Sequence, residues 1–223
     1  MMTNLFSAFD PSTTKMISLN WMSTLIVLIM VPTSYWMIPN RLMMTMLNLQ
    51  KILHKEFKTL IYNNSGGFTL LFISLFMFIM INNMMGLLPY VFTSSSHLVF
   101  TMALALPIWM SIILFSWLNK TQLTMAHLIP TGTPPALMPF MVCIETISNM
   151  IRPGSLAVRL AANMIAGHLL MSLLGNSMMN SSSIIMPFML MMQIMLMTFE
   201  TAVAMIQAYV FSILSTLYTS EVI

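Results

Sequence analysis

Charged side chains are scarce in this chain. Asp, Glu, Lys and Arg make up 6% of its 223 residues, against about 25% in soluble domains. So little charge cannot keep a folded body of this size hydrated, which excludes a soluble globular protein; most of the exterior must face lipid. The eight cations give a formal net charge of +3, too dispersed for a nucleic-acid footprint, and no nucleic-acid partner is implied. A single cysteine, Cys143, excludes a disulfide framework within the chain and a cysteine-built zinc site. Set in an apolar run, it reads as a small buried hydrophobe. No glycine-rich phosphate loop is present, so the chain holds no nucleotide in that way. Between Met1 and Lys15 there is one cation and one acid, Asp10, with neither a signal nor a transit pattern. No cofactor or metal is implied.

What is abundant is apolar. Hydrophobic residues account for 58% of the chain, and 30 of them are methionine. Met spread over every apolar segment is adaptable packing rather than a metal-binding box. About 20 apolar residues span a bilayer as a helix, and the runs 19–38, 68–88 and 98–118 meet that length. Residues 41–62 differ. Leu42, Met46, Leu49, Ile52, Leu53, Phe57, Leu60 and Ile61 form a stripe, and Lys51, Lys55, Glu56 and Lys58 occupy much of the remainder. That pattern predicts an amphipathic helix at the membrane surface. A Pro-rich stretch from His127 to Pro139 reads as a structured loop.

Two longer segments follow, 137–174 and 184–217, separated by the turn sequence Gly175 to Ser183. As helices they are roughly 50–57 Å long against a hydrocarbon core of about 30 Å, which predicts a long tilted hairpin. The fold class expected is thus an all-α integral membrane protein, residues 1–223 forming a single membrane domain of about five membrane helices plus one surface helix. Arg41, Lys51, Lys55, Lys58 and Lys120 fall on one side of such a layout and Lys15 on the other. By the positive-inside rule the amino terminus lies outside and the carboxyl terminus inside.

The hairpin carries ionisable groups that lipid disfavours: Glu145, Arg152, Arg159, His168 and Glu200, with the amides Asn163 and Gln207. A charge at the centre of a membrane helix costs about 2.5–3.5 kcal/mol, and such residues mark ion pathways and face protein or water. At about 100° per residue, Asn163 shares the face of Arg159, while His168 lies on the opposite face. Glu145 returns near the Arg159 face unless Pro153-Gly154 kinks the helix. Glu200 and Gln207 share a face of the second helix. In an antiparallel hairpin, His168 with Glu200 and Arg159 with Gln207 both centre near residue 183, at the end of the Ser181–Ser183 turn. One register therefore levels an imidazole with a carboxylate near the turn and a guanidinium with an amide deeper in, and brings Glu145 level with Glu221. Glu and His change protonation state and can relay protons. Arg stays charged, so Arg159 stands as a barrier between two access routes, an arrangement that makes sense if protons leave the chain and travel on something else.

The stretch IETISNMIRPGSLAVRLAANMIAGHLL, Ile144 to Leu170, followed by FETAVAMIQAYVF, Phe199 to Phe211, resembles the core of subunit a of the mitochondrial F-type ATP synthases. NNMMGLLPY and PTGTPPALMPF resemble further blocks of the animal form, and RPGSLAVRL with TLYTSEVI is similar to arthropod members. The resemblance implies a proton-translocating stator subunit in the mitochondrial inner membrane, with its amino terminus in the intermembrane space and its carboxyl terminus in the matrix. Its implied partners are the rotor c-ring, other membrane stator subunits, the lipid bilayer and protons. It implies that Arg159 faces the ring's ion-carrying carboxylates, that Asn163 and Gln207 orient it, that His168 and Glu200 belong to the outer half-channel, and that Glu145 belongs to the matrix half-channel. Plainer roles stand beside these: a structural His168–Glu200 pair, Glu145 as an interfacial anchor, the amides as helix glue and Arg152 as a headgroup anchor. A secondary transporter or another ion-translocating subunit is the rival function, although no internal repeat of the transporter kind is visible.

Overall fold

A computed structural model describes residues 4–14, 17–32, 36–61, 67–129, 132, 134, 135, 137–179 and 181–222. Among them the regular structure is entirely helical. Lys15, the lone cation expected outside, lies beyond the described residues, as do Tyr62 at the end of the expected surface helix and part of the Pro-rich loop.

The run expected as the first span is the least regular. It is a 3-10 helix over Leu19–Leu25 that continues as α1, Ile26–Met30. Val31 is extended at φ −73 and ψ 114, because the residue before a proline is pushed out of the helical region and Pro32 follows. At 2.0 and 1.5 Å per residue this helix is about 22 Å long, short of the roughly 30 Å hydrocarbon core. The surface helix is α2, Arg41–Leu60. It buries Leu53 and Phe57, one turn apart, while Lys51, Lys55 and Lys58 stay exposed. Leu42 and Ile52 of the expected stripe also face outward.

Among the described residues four helices are long and apolar enough to cross a membrane: α3, Phe68–Gly86; α4, Leu98–Asn119; α6, Met138–Met179; and α7, Met186–Val222. A short α5, Thr121–His127, follows α4. The hairpin helices have 42 and 37 residues, about 63 and 55 Å, so they lie steeply inclined in any bilayer of ordinary thickness. Both outrun their expected ends. Helix α6 passes straight through Gly175, and the turn shrinks to the residues around Ser181 and Ser182, where the Ser181 and Ile185 N–H groups bond back to Met178 and Ser182. A helix-interior glycine costs only about 1 kcal/mol, too little to stop a helix held by its neighbours. Pro153 likewise sits inside α6 without ending it. Cys143, expected to be buried, is exposed on α6.

The core forms where α3 meets α2 and α7, and where α6 packs on α7 and α4. Phe57, Phe72, Phe76, Ile79, Leu160 and Phe211 fill it, and the fully buried Ala157 and Ala208 let the helix backbones approach closely. Helix α7 turns a strip of small residues to this core. Its Ser212, Ser215, Thr216 and Thr219 are buried, and each hydroxyl donates to a carbonyl three residues back, at 2.6–2.9 Å. No hydroxyl is left unsatisfied there, which is what permits polar residues inside so apolar a bundle.

Candidate functional site

The hairpin presents three polar levels. At the end away from the turn, Arg152 bridges two carboxylates. Its Nη2 lies 3.3 Å from Glu145 Oε1 on its own helix, and its Nη1 lies 3.3 Å from Glu221 Oε2 on α7. Its guanidinium stands 5.3 Å from the centre of the Tyr218 ring. Glu145 and Glu221 therefore share the level that the register predicted. What the sequence did not reveal is that Arg152 joins them and so ties the two helices together.

The middle level holds Arg159. It shares a shallow recess with Gln207, lined also by Leu156, Leu160, Val210 and Phe211. Arg159 is exposed and, among the described residues, makes neither a hydrogen bond nor an ion pair. Asn163, one turn further on, is half-buried and does not bond it. Close to this guanidinium the exposed surface is apolar: Val158, Ala162 and Ala166 on α6 and Ile206, next to Gln207, on α7. Lipid cannot solvate such a group, so this face requires protein or water against it.

The third level lies about 12 Å beyond Arg159 toward the turn. Glu200, only 8% exposed, packs its carboxylate against Gly167 of α6, which confirms the antiparallel register within one residue. His168 sits at the same level but does not pair with Glu200. Its Nε2 is 2.8 Å from the carbonyl oxygen of Gly86, the last residue of α3. Both Glu200 oxygens are buried without a hydrogen-bond partner among the described residues. The shared depth holds and the expected imidazole–carboxylate pairing does not, because the α6 twist points His168 toward α3 and Gly167 toward α7. A methyl at Gly86 would meet Thr93 Cγ2 at 3.0 Å, so this end of α3 packs tightly against the segment that follows it.

Helix α3 adds polar groups from outside the hairpin. Asn83 is fully buried, and its Nδ2 donates to the Ala204 carbonyl of α7 at 3.4 Å. Its Oδ1 and the Nδ2 of neighbouring Asn82 are buried without partners. Two adjacent amides in an otherwise apolar span were a readable signal by the same cost rule that singled out the hairpin. The bundle thus offers titratable groups at two ends, a fixed cation between them facing outward, and unsatisfied polar atoms beside the end near the turn. That arrangement can accept and release protons at separate levels while opposing their direct passage.

A family model described as ATP synthase A chain matches residues 16–220. ATP synthase subunit a of Anopheles gambiae is 61% identical to this chain, that of Aedes aegypti 60% and that of Drosophila melanogaster 59%, each over the full length of both chains.

Proposed function

Because the chain belongs to the ATP synthase A chain family, we propose that it is the stationary proton conductor of that enzyme's membrane sector, working against a rotating ring of carboxylate-bearing subunits. The observation that carries this reading is Arg159: a permanently charged, exposed guanidinium on an apolar face, with no partner among the described residues. A ring of membrane helices whose carboxylates sweep past that face supplies the partner it lacks. Each carboxylate is held ionised while opposite Arg159 and is protonated before it moves into lipid, since a charged acid is costly there.

Protons reach the ring from the level of His168 and Glu200 and leave it at the level of Glu145. The two levels are separated along α6 by about 33 Å, with Arg159 between them, and its charge opposes a direct proton leak. The ring therefore must turn for a proton to pass. Each charge falling through 100 mV supplies about 2.3 kcal/mol, which drives rotation and, elsewhere in the complex, ATP synthesis. Gln207, in the same recess, and Asn163, one turn along α6, flank the Arg159 head. The membrane is the mitochondrial inner membrane. The cationic α2 and Lys120 face the matrix, and the amino terminus lies in the intermembrane space. Other stator subunits cover the remaining exposed faces.

Replacing Arg159 tests the reading. Arg159→Gln in an assembled complex is expected to abolish proton-driven ATP synthesis in vesicles and to let protons leak. Arg159→Lys should restore little, because a lysine is a point charge without the planar fork. Normal synthesis in either assembled variant refutes the assignment.

A further inference from the structure

A 3-10 helix near the start of the chain, Leu5–Phe9, lies against α6. Its two phenylalanines differ in setting. Phe6 is 67% exposed, whereas Phe9 is half-buried, with its ring centre 6.1 Å from that of the His168 imidazole and nearly perpendicular to it. The segment is tied in place just beyond Phe9. The Asp10 N–H donates to the Ser7 carbonyl, and Asn20 Nδ2 donates to the Asp10 carbonyl at 3.1 Å. The Asp10 carboxylate accepts from both the N–H and the hydroxyl of Ser12.

The imidazole is thus held by Phe9 from one segment and by the Gly86 carbonyl, 2.8 Å from Nε2, from another. A carbonyl oxygen can only accept, so Nε2 must carry a hydrogen whether the ring is neutral or charged. Nδ1 is then the one nitrogen that gains or loses a proton without breaking this bond. The outer torsion of histidine is broad and roughly two-fold, and a half-turn would put the ring carbon Cε1 where Nε2 stands, so packing rather than intrinsic preference decides whether Nε2 faces Gly86.

We propose that Phe9 is a positioning residue for the proton path: it holds the His168 imidazole in one orientation, with Nε2 on the Gly86 carbonyl and Nδ1 as the single exchange site. This rests on the reading of His168 as part of the outer path. It adds that the ring takes and returns its proton at one nitrogen instead of passing it through from the other.

The intact ATP synthase, with its histidines labelled with nitrogen-15, provides the test. Subtracting the spectrum of a His168→Gln complex isolates the two His168 nitrogens. The expected wild-type signature of the neutral ring is a protonated Nε2 and a bare Nδ1. Phe9→Ala opens the second orientation, in which Nε2 leaves the Gly86 carbonyl and no longer has to carry the hydrogen, so a Nδ1-protonated population emerges. If the two orientations become equally populated, proton-driven synthesis falls about twofold. Phe9→Tyr keeps the ring and should retain the wild-type signature and rate. Phe9→Leu keeps bulk without the ring and serves where Phe9→Ala disturbs assembly; it should also mix the orientations. A wild-type Nδ1-protonated ring, or an unchanged signature in both Phe9→Ala and Phe9→Leu, overturns the proposal. The parent reading fails separately: His168→Gln with a wild-type synthesis rate removes His168 from the path, while the orientation and its dependence on Phe9 are still read from the spectrum.

Discussion

Gly167→Ala isolates the Glu200 carboxylate from everything else in the bundle. A methyl group built at Gly167 falls on Glu200, with its carboxyl carbon 2.7 Å away and an oxygen nearer still. Carbon atoms rest at about 3.5–4.0 Å, so the carboxylate must retreat by roughly 1 Å. It is the free end of a flexible side chain, so the helices need not separate. The small gain from replacing a helical glycine, about 0.5–1 kcal/mol, further offsets the crowding. Stability and assembly should therefore stay close to wild type. Function should not, because a misplacement of about 1 Å in a reacting group can cost on the order of 100-fold. The expected fall in proton-driven ATP synthesis in vesicles is about 10- to 100-fold. Gly175→Ala is the control: it lies in the same helix, and nothing stands within 4 Å of an added methyl. Its rate should match wild type. Glu200→Asp on the Gly167→Ala background withdraws the carboxylate by one methylene and should recover part of the loss. If Gly167→Ala synthesises at the wild-type rate, the position of Glu200 does not matter to proton delivery and the outer path runs elsewhere.

Two further outcomes are expected, beside those given above for Arg159 and Phe9. Arg152→Gln should leave the complex assembled, because its ion pairs involve side chains that are 30–64% exposed and each is worth at most about 1 kcal/mol; thermal unfolding of the purified complex measures this, and collapse of assembly would contradict it. With Cys143 replaced by Ser, the pair Arg159→Cys and Gln207→Cys should cross-link, since both residues line one recess. The pair His168→Cys and Ser215→Cys should not, because Ser215 lies beside Arg152, about 24 Å along α6 from His168; the reverse pattern would mean that the hairpin is out of register.

Composition alone determined the solvent of this protein, since 6% charge leaves no hydrated surface. Length determined the hairpin: apolar runs nearly twice the membrane thickness have few arrangements other than steep helices. Even the register was readable, because in two antiparallel helices joined by a short turn, level depends only on distance from that turn. Glu200 against Gly167 and Glu221 level with Glu145 follow from that geometry. Partners across the bundle were not readable. The sequence puts His168 at the depth of Glu200, but its actual partner is the Gly86 carbonyl, 82 residues away, and the backbone of α3 carries no side-chain signal to announce it. Phe9 reaches the same ring from the other end of the chain, and Arg152 joins acids on two helices. The helix of the first apolar run stops at Met30, because apolar content is indifferent to backbone torsion while Pro32 is not. Periodicity and depth are properties of a segment by itself, so the sequence carries them. Which face of one helix meets which face of another is decided by close packing of side chains from distant segments, and that exists only once the bundle has formed.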